Sequence, residues 1–272
     1  MEMIQPFLKW AGGKRQLLNS ILPLVPDFKT YCEPFLGGGA VFFAIKPKRA
    51  ILNDYNSELI NCYNVVLNDI NPLIKSLRRH RNEKRYYLAV RNLDRKPEKF
   101  KKLTPVQRAS RFIYLNRVCF NGMHRLNSKG HFNSAFGAYD NPDIVNEWVL
   151  RYDSAYMNRC ELRLCNGDFS SVLNRAKPSW FCYIDPPYDP VCEENYVKYN
   201  EFEFNHDDQR RLKEACDELT KRGVKFLLSN SDTEFMRDLY KDYDVLTVKA
   251  KRLIASNVES RAAVNELLIK NY

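Results

Sequence analysis

Five apolar residues, Trp180-Phe-Cys-Tyr-Ile184, run without a break into Asp185-Pro-Pro-Tyr188. Two prolines lack backbone donors and fix two φ angles, so they end the run abruptly. A short apolar run closed in this way reads as a strand buried on both faces. Such strands belong to mostly parallel sheets covered by helices on each side, and ligands bind beyond their carboxyl ends. The rest of the chain repeats the pattern. Thr30-Tyr-Cys-Glu-Pro-Phe35 leads into Gly37-Gly-Gly39 and a helical run from Ala40 to Ile45. Ala50 to Asn53 ends at Asp54, and Leu162 to Cys165 ends at Asn166-Gly167-Asp168. A helix over 207–222 stops at Gly223, before a strand from Lys225 to Leu228. Asp244 to Val248 and Ala263 to Ile269 read as the last strands. Residues 57–120 differ in texture: helices dense in Lys and Arg, then a hairpin around Ser128-Lys129-Gly130. The expected architecture is an α/β domain (1–56 and 146–272) interrupted by a helical and β-hairpin insertion (57–145).

Charge is informative once it is located. Residues 72–130 carry 17 Lys and Arg against three acids, Glu83, Asp94 and Glu98. The remaining residues hold 26 basic against 30 acidic side chains. All the excess positive charge therefore sits in one block, as a solvated helical surface or as the footprint of a polyanion such as a phosphate backbone. No stretch approaches the roughly 20 apolar residues that span a bilayer, and the N-terminus carries no secretion signal, so a cytoplasmic location in a bacterial or phage-infected cell is expected. The eight cysteines form no CxxC pair and have no histidine at a zinc-ligand spacing, so they are read as small apolar residues and no metal is expected.

Three motifs carry chemistry. Asp185-Pro186-Pro187-Tyr188 offers a carboxylate, a carbonyl in a stiff turn and a flat ring. Together they suit a planar amino group on an aromatic ring: Asp185 and the Pro186 carbonyl accept its two N–H bonds while Tyr188 stacks. The plainer reading is a proline-rich turn in which the aspartate bonds its own backbone. Glu33 to Gly39 places glycines between a strand and a helix, where backbone can approach a nucleotide-like ligand. It lacks the GxGxxG spacing of a pyrophosphate site, because position 42 is not glycine. Asp54 is either an acceptor for ribose hydroxyls or a helix cap or turn residue. Phe7-Leu-Lys-Trp-Ala-Gly-Gly-Lys14 either wraps a zwitterionic ligand, with Lys14 on its carboxylate and Trp10 near a cation, or is an N-terminal loop anchored by a buried tryptophan.

Taken in order, FxKWxGGK at 7–14, EPFxGGG at 33–39, NDYN at 53–56, LNRxxxNGxxRxN at 115–127 and DPPY at 185–188 resemble the Dam-type, D12-class DNA adenine-N6 methyltransferases over nearly the whole chain. The resemblance implies a Rossmann-like methyltransferase sheet, and transfer of a methyl group from S-adenosylmethionine to N6 of a flipped-out adenine in double-stranded DNA, within GATC; one active site and one insertion suffice for one strand per event, so a monomer is expected. It implies a cofactor site lined by Trp10, Lys14, Phe35, Gly37, Gly39, Asp54, Asp168 and Asp185, with Asp168 meeting the cofactor's adenine. Asp185, Pro186 and Tyr188 would hold the target base. In the insertion, Arg125 resembles a guanine-reading arginine and Lys9 a second guanine contact. Arg117 and Asn133 match positions close to DNA. Phe120 and Asn121 match positions that fill or flank the gap left by the base, and Met123 an apolar contact; for Phe120 and Met123 ordinary packing is the other reading. Ala135 and Ala138 depart from the family, standing where its NxPxGxY segment has proline and arginine. The competing functions are an RNA or protein-amide methyltransferase, a non-catalytic DNA-binding regulator and a nucleotide-binding dehydrogenase. Aspartate rather than asparagine before PPY weighs against the protein-amide enzyme, and the missing GxGxxG against the dehydrogenase.

Overall fold

The computed structural model describes residues 5–10, 14–190, 204–251 and 263–272. Seven strands form one sheet: β1 (Thr30–Glu33), β2 (Arg49–Asp54), β3 (Glu161–Asn166), β4 (Trp180–Ile184), β5 (Lys225–Ser231), β6 (Asp244–Lys251) and β7 (Ala263–Lys270). Their spatial order is β3-β2-β1-β4-β5-β7-β6. The first five are parallel, and β7 runs antiparallel between β5 and β6. From β1 the chain steps outward through β2 and β3, then returns to lay β4 on the other side of β1. The strand order reverses there, so the loops leaving β1 and β4 part and open a crevice. These loops are the glycine-rich turn and the DPPY turn.

Alternation along the central strands divides the core in two. Tyr31, Phe181 and Tyr183 face one layer, with Val41, Phe42, Phe43 and Leu59. Cys32, Cys182 and Ile184 face the other, with Leu212, Cys216 and Leu219 of the helix His206–Lys221. Both faces are dry, which is why these strands read as unbroken apolar runs. The Rossmann-like α/β fold expected from the motifs is the one observed.

Two strands are longer than the sequence pattern suggests. β5 continues past Leu228 through Ser229, Asn230 and Ser231, which are polar yet buried. Their backbones pair with β7, and their side chains find partners around Asp185 and Asp189. β6 likewise runs on to Lys251. The turn at 128–130 is tighter than a two-strand ribbon: Leu126 and Phe132 make one antiparallel bridge, and Asn127 Oδ1 accepts the Lys129 and His131 N–H groups.

The helical segment shares the first core layer rather than building its own. Helix Ser57–Asn68 is capped by Asn56, whose Oδ1 accepts from Glu58 and Leu59. Helix Pro105–Val118 opens with a Thr104/Gln107 capping box and buries Phe112, Ile113 and Leu115. Against these lies the N-terminal segment. Phe7 donates its N–H to Asp153 at 2.9 Å, and its carbonyl accepts from Arg117 at 2.8 Å. Asn116 brackets Lys9, accepting from its N–H at 2.9 Å and donating to its carbonyl at 2.6 Å. Buried backbone without a strand partner needs such side chains to satisfy it. Among the described residues, no helix is long and apolar enough to cross a membrane. The seven described cysteines are free, six of them buried; Cys192 lies outside the described residues.

Asp153 is 0 % exposed, and its Oδ1 has no partner among the described residues. Burial pushes its carboxyl up to about 8, against an opposing pull from the Phe7 N–H and Arg117. An unfolded aspartate ionises near pH 4. Between those values the folded chain keeps a proton that the unfolded chain has released, so this group makes stability fall as pH rises from about 4 to about 8. Asp153→Asn should flatten that part of the Tm–pH curve and leave Tm at pH 8 no lower than wild type. Thermal unfolding followed by circular dichroism across pH 5–9 checks it; a curve parallel to wild type contradicts it.

Candidate active site

At the end of β1, the turn Pro34–Gly39 is shaped by two left-handed glycines, Gly37 at φ +49° and Gly39 at φ +67°. A Cβ on Gly37 would lie 2.8 Å from the Trp10 ring, and one on Gly39 would lie 2.7 Å from the Tyr63 hydroxyl. The turn is therefore locked by sterics as well as by φ. Tyr63 also donates to the Gly37 carbonyl at 3.1 Å. Asp54, at the end of neighbouring β2, accepts the Gly37 N–H at 2.9 Å and the Asn56 N–H at 2.9 Å. The helix cap is Asn56, so Asp54 is a turn residue whose carboxylate is held at the rim of the glycine loop. Burial pushes that carboxyl above its usual range although three backbone N–H groups oppose the shift. Beneath it, Asn53 donates to the carbonyls of Pro34 and Gly167, tying together the loops that leave β1 and β3.

The DPPY turn leaves β4 beside this loop. Among the described residues, Asp185 makes no bond to its own backbone. Its Oδ1 meets Lys14 Nζ at 2.7 Å and accepts from Ser229 Oγ at 2.8 Å, and Ser229 shares a 3.1 Å bond with Tyr183. The Lys14 side chain is only 6 % exposed, and its ammonium also lies 4.5 Å from the Tyr188 ring centroid. Tyr188 donates to Glu266 at 2.6 Å; burial, with Asp185 and Glu266 adding to it, pushes its hydroxyl well above the usual tyrosine range. Gln209 donates to the Pro187 carbonyl, and Asp189 is gripped by His206, Thr233 and the Asn230 side chain. Among the described residues nothing hydrogen-bonds the Pro186 carbonyl or Asp185 Oδ2. The turn thus presents two acceptors on a rigid support.

Farther along the same edge, Phe35 packs on Phe169 at 5.4 Å and edge-on to Phe204 at 5.7 Å. Asp168, next to Phe169, accepts from the Ser170 N–H and pairs with Arg211 at 2.8 Å. Burial alone would raise the Asp168 carboxyl, but these partners outweigh it and leave it below the usual range. An aromatic wall with an ionised acceptor at its end, a glycine cradle and a second acceptor at Asp54 have the shape and chemistry for an adenosyl group. At the carboxyl edge Glu33, bonded to Tyr31 at 2.8 Å, is pushed well above the carboxylate range, mainly by burial.

The residues of the insertion form a separate surface. Lys9 is exposed and lies over the Tyr139 ring, and the Tyr139 hydroxyl accepts the Asn121 N–H at 3.0 Å. Asn121 sits at φ +54° and Phe120 is 56 % exposed, so packing does not account for that ring. Arg125 and Asn133 are exposed, and the Asn133 N–H bonds the Arg125 carbonyl. Met123 is half-buried. Arg117 is turned inward to Phe7, and burial lowers its guanidinium pKa. Gly12 and Gly13 of the first motif lie outside the described residues. Among the described residues no group of three or more His, Cys, Asp or Glu side chains could hold a metal. Sequence reasoning missed Ser229, Glu266, Asn116, and Tyr55, which stands 50 % exposed beside Asp54. Only the mixture of buried position and polar type in Ser229-Asn-Ser231 could have flagged the first.

Residues 10–254 match the model of the D12 class N6 adenine-specific DNA methyltransferases. The chain is 40% identical over 273 residues to a type II methyltransferase of Lactococcus lactis subsp. cremoris, covering 99% of this chain and 96% of that one. It is 39% identical to a type II methyltransferase of Methanocaldococcus jannaschii, covering 99% of both. A DNA adenine methylase of Escherichia coli is 34% identical, with 98% of this chain and 95% of that one covered.

The glycine turn yields a stability test. Gly39→Ala should cost about 2 kcal/mol, from the left-handed φ and the Tyr63 contact together. Tyr63→Phe in that background should recover the steric part only. Urea unfolding of wild type and the two variants measures this, and an unchanged midpoint for Gly39→Ala would count against it.

Proposed function

The chain belongs to the D12 class N6 adenine-specific DNA methyltransferase family, and from that premise we propose that it methylates a flipped-out adenine, with S-adenosylmethionine as donor, at the DPPY turn. Adenine-N6 methylation of DNA is the family's reaction, which sets aside the regulator, RNA-methyltransferase and dehydrogenase readings. The observation that carries the finer reading is the pairing of Asp185: Lys14 and Ser229 both hold Oδ1, which fixes the carboxylate beside the Pro186 carbonyl. An exocyclic amine has two hydrogens and a lone pair delocalised into its ring. Two fixed acceptors hold both hydrogens and favour a pyramidal nitrogen whose lone pair can attack.

Bound S-adenosylmethionine supplies the electrophile, a methyl group on a sulfonium sulfur, and leaves as S-adenosylhomocysteine. Trp10, Gly37, Gly39 and Asp54 would hold its ribose and backbone, Phe35 and Asp168 its adenine, and Lys14 its carboxylate. Tyr188, fixed by Glu266, stacks on the target base. As the N–C bond forms, the nitrogen becomes cationic and therefore acidic, so Asp185 Oδ2 accepts its proton without being a strong base. Orientation supplies most of the rate. An adenine inside a duplex has its amine paired, so it must leave the stack.

Residues 57–145 would serve as the recognition part. Exposed Phe120, with Asn121 and Met123 beside it, would fill the gap, while Lys9, Arg125 and Asn133 approach the duplex and Arg117, turned inward to Phe7, holds the segment that carries Lys9. GATC is the target expected from the family resemblance. Ala135 and Ala138 offer no side-chain hydrogen bond, which leaves donor contacts to the outer bases with Lys9 and Arg125. One active site and one recognition part suffice for one strand, so the acting species is taken as a monomer.

Asp185→Ala should abolish methyl transfer and keep measurable S-adenosylmethionine binding. Ser229→Ala should lower kcat roughly 10–100-fold, with KM for DNA little changed, because only the carboxylate's aim is lost. Steady-state kinetics beside calorimetric cofactor titration test both, and normal turnover by the Asp185 variant sinks the reading. Arg125→Ala should cut discrimination against a changed guanine by about 10–100-fold, the loss of one bidentate contact of roughly 1–3 kcal/mol. Competition between cognate and single-substituted duplexes measures it; undiminished discrimination removes Arg125 from base reading.

A further inference from the structure

Phe112, His124 and Trp10 come from three separate pieces of chain, yet their rings lie nearly parallel. His124 is 4.8 Å from Phe112 and 5.5 Å from Trp10, with interplanar angles of 25° and 19°. Trp10 and Phe112 are themselves 6.3 Å apart at 14°, and Phe132 meets His124 edge-on at 5.4 Å. His124 is 7 % exposed, and its Nδ1 has no partner among the described residues. An apolar side chain would fill this space without stranding a polar nitrogen, so packing alone does not explain a histidine. Burial lowers its pKa to about 4, which keeps the ring neutral near pH 7.

The position of the trio matters more than its composition. The residue after His124 is Arg125, exposed on the recognition surface. On the other side, the Trp10 indole lies against Gly37, where an added Cβ would sit 2.8 Å from the ring; a Cβ on Gly38 would sit 2.9 Å from the Trp10 Cβ. Gly37 donates to Asp54. Direct contacts therefore join the neighbour of the base-reading arginine to the carboxylate of the cofactor cradle. Close-packed interiors pass on displacements because no void absorbs them.

We propose that His124 is a positioning residue that couples recognition of the cognate DNA sequence to cofactor affinity, by carrying movement of Arg125 through the Trp10 ring to the Gly37–Asp54 cradle. This rests on the reading above, in which Arg125 contacts DNA and the glycine loop holds the adenosyl group. Coupling is reciprocal, so a cognate duplex tightens cofactor binding by the factor with which the cofactor tightens DNA. Arg125 engaged with its base is the state in which the cradle is best formed. A scrambled duplex, held by phosphate contacts alone, leaves His124 and Trp10 where they are.

The test is calorimetric titration of the whole chain with S-adenosylhomocysteine, alone, with a GATC duplex and with a scrambled duplex. For wild type the GATC duplex should tighten binding about tenfold, and the scrambled one hardly at all. In His124→Ala the GATC effect should shrink to less than about twofold, while His124→Phe, which keeps a flat ring, should restore most of it. If the alanine variant does not fold, His124→Leu fills the volume without a ring and the same ratio decides. A full GATC effect in the alanine or leucine variant overturns the proposal, as does the absence of any effect in wild type. Failure of the underlying reading looks different: wild type would methylate GATC and scrambled duplexes equally, before any variant is made, and the proposal would fall with it.

Discussion

A carboxylate at the carboxyl edge of a buried sheet needs a counter-charge, and Asp185 finds one in Lys14 at 2.7 Å. Neither group is independent of the other. The Lys14 side chain is almost wholly buried, and removing either partner would strand a charge at a cost of several kcal/mol. The pair therefore fixes more than itself. Lys14 follows the N-terminal segment, so that segment must be held against the sheet with its backbone satisfied. Asp153, Arg117 and Asn116 do this from three sides. Ser229 must also reach Asp185, which requires β5 to continue as a strand through polar residues, and β7 supplies the second edge that lets it.

The same constraint explains why the insertion is packed rather than tethered. Two of the side chains that hold the N-terminal segment, Arg117 and Asn116, come from the helix Pro105–Val118. That helix also contributes Phe112 to the ring trio and leads into the exposed Phe120. The helical segment and the sheet thus share one core layer, which includes both Leu36 of the glycine turn and Phe132.

The strands and their terminal motifs were legible in the sequence because each is local. An apolar run of four or five residues ending in DPPY or a glycine turn carries its own structure. Asp54 was legible as a functional candidate, although its cap alternative fell only when Asn56 proved to be the cap. What could not be read is what distance in sequence conceals. Ser229 lies 44 residues beyond Asp185 and Glu266 lies 78 beyond Tyr188. β5 was cut short at Leu228 because polar residues normally end a strand, and here their side chains are satisfied by the DPPY turn. The basic block was correctly located, but part of its charge is already used. Arg108 is paired with Glu58, Arg111 with Asp94, Arg78 with Glu147 and Lys101 with Glu98, whereas Lys96, Lys99 and Lys102 are exposed.

The central claim is that the DPPY turn and the basic insertion act together on one adenine in one sequence. It is tested most directly by incubating the chain with methyl-labelled S-adenosylmethionine and two duplexes of equal length and composition, one with a central GATC and one with those four bases scrambled. The account predicts label on N6 of adenine in the GATC duplex alone. Label on adenines of both duplexes would keep the chemistry and contradict the assignment of base reading to Lys9 and Arg125. No label on either, with DNA and cofactor both bound, would contradict the role given to Asp185 and Pro186.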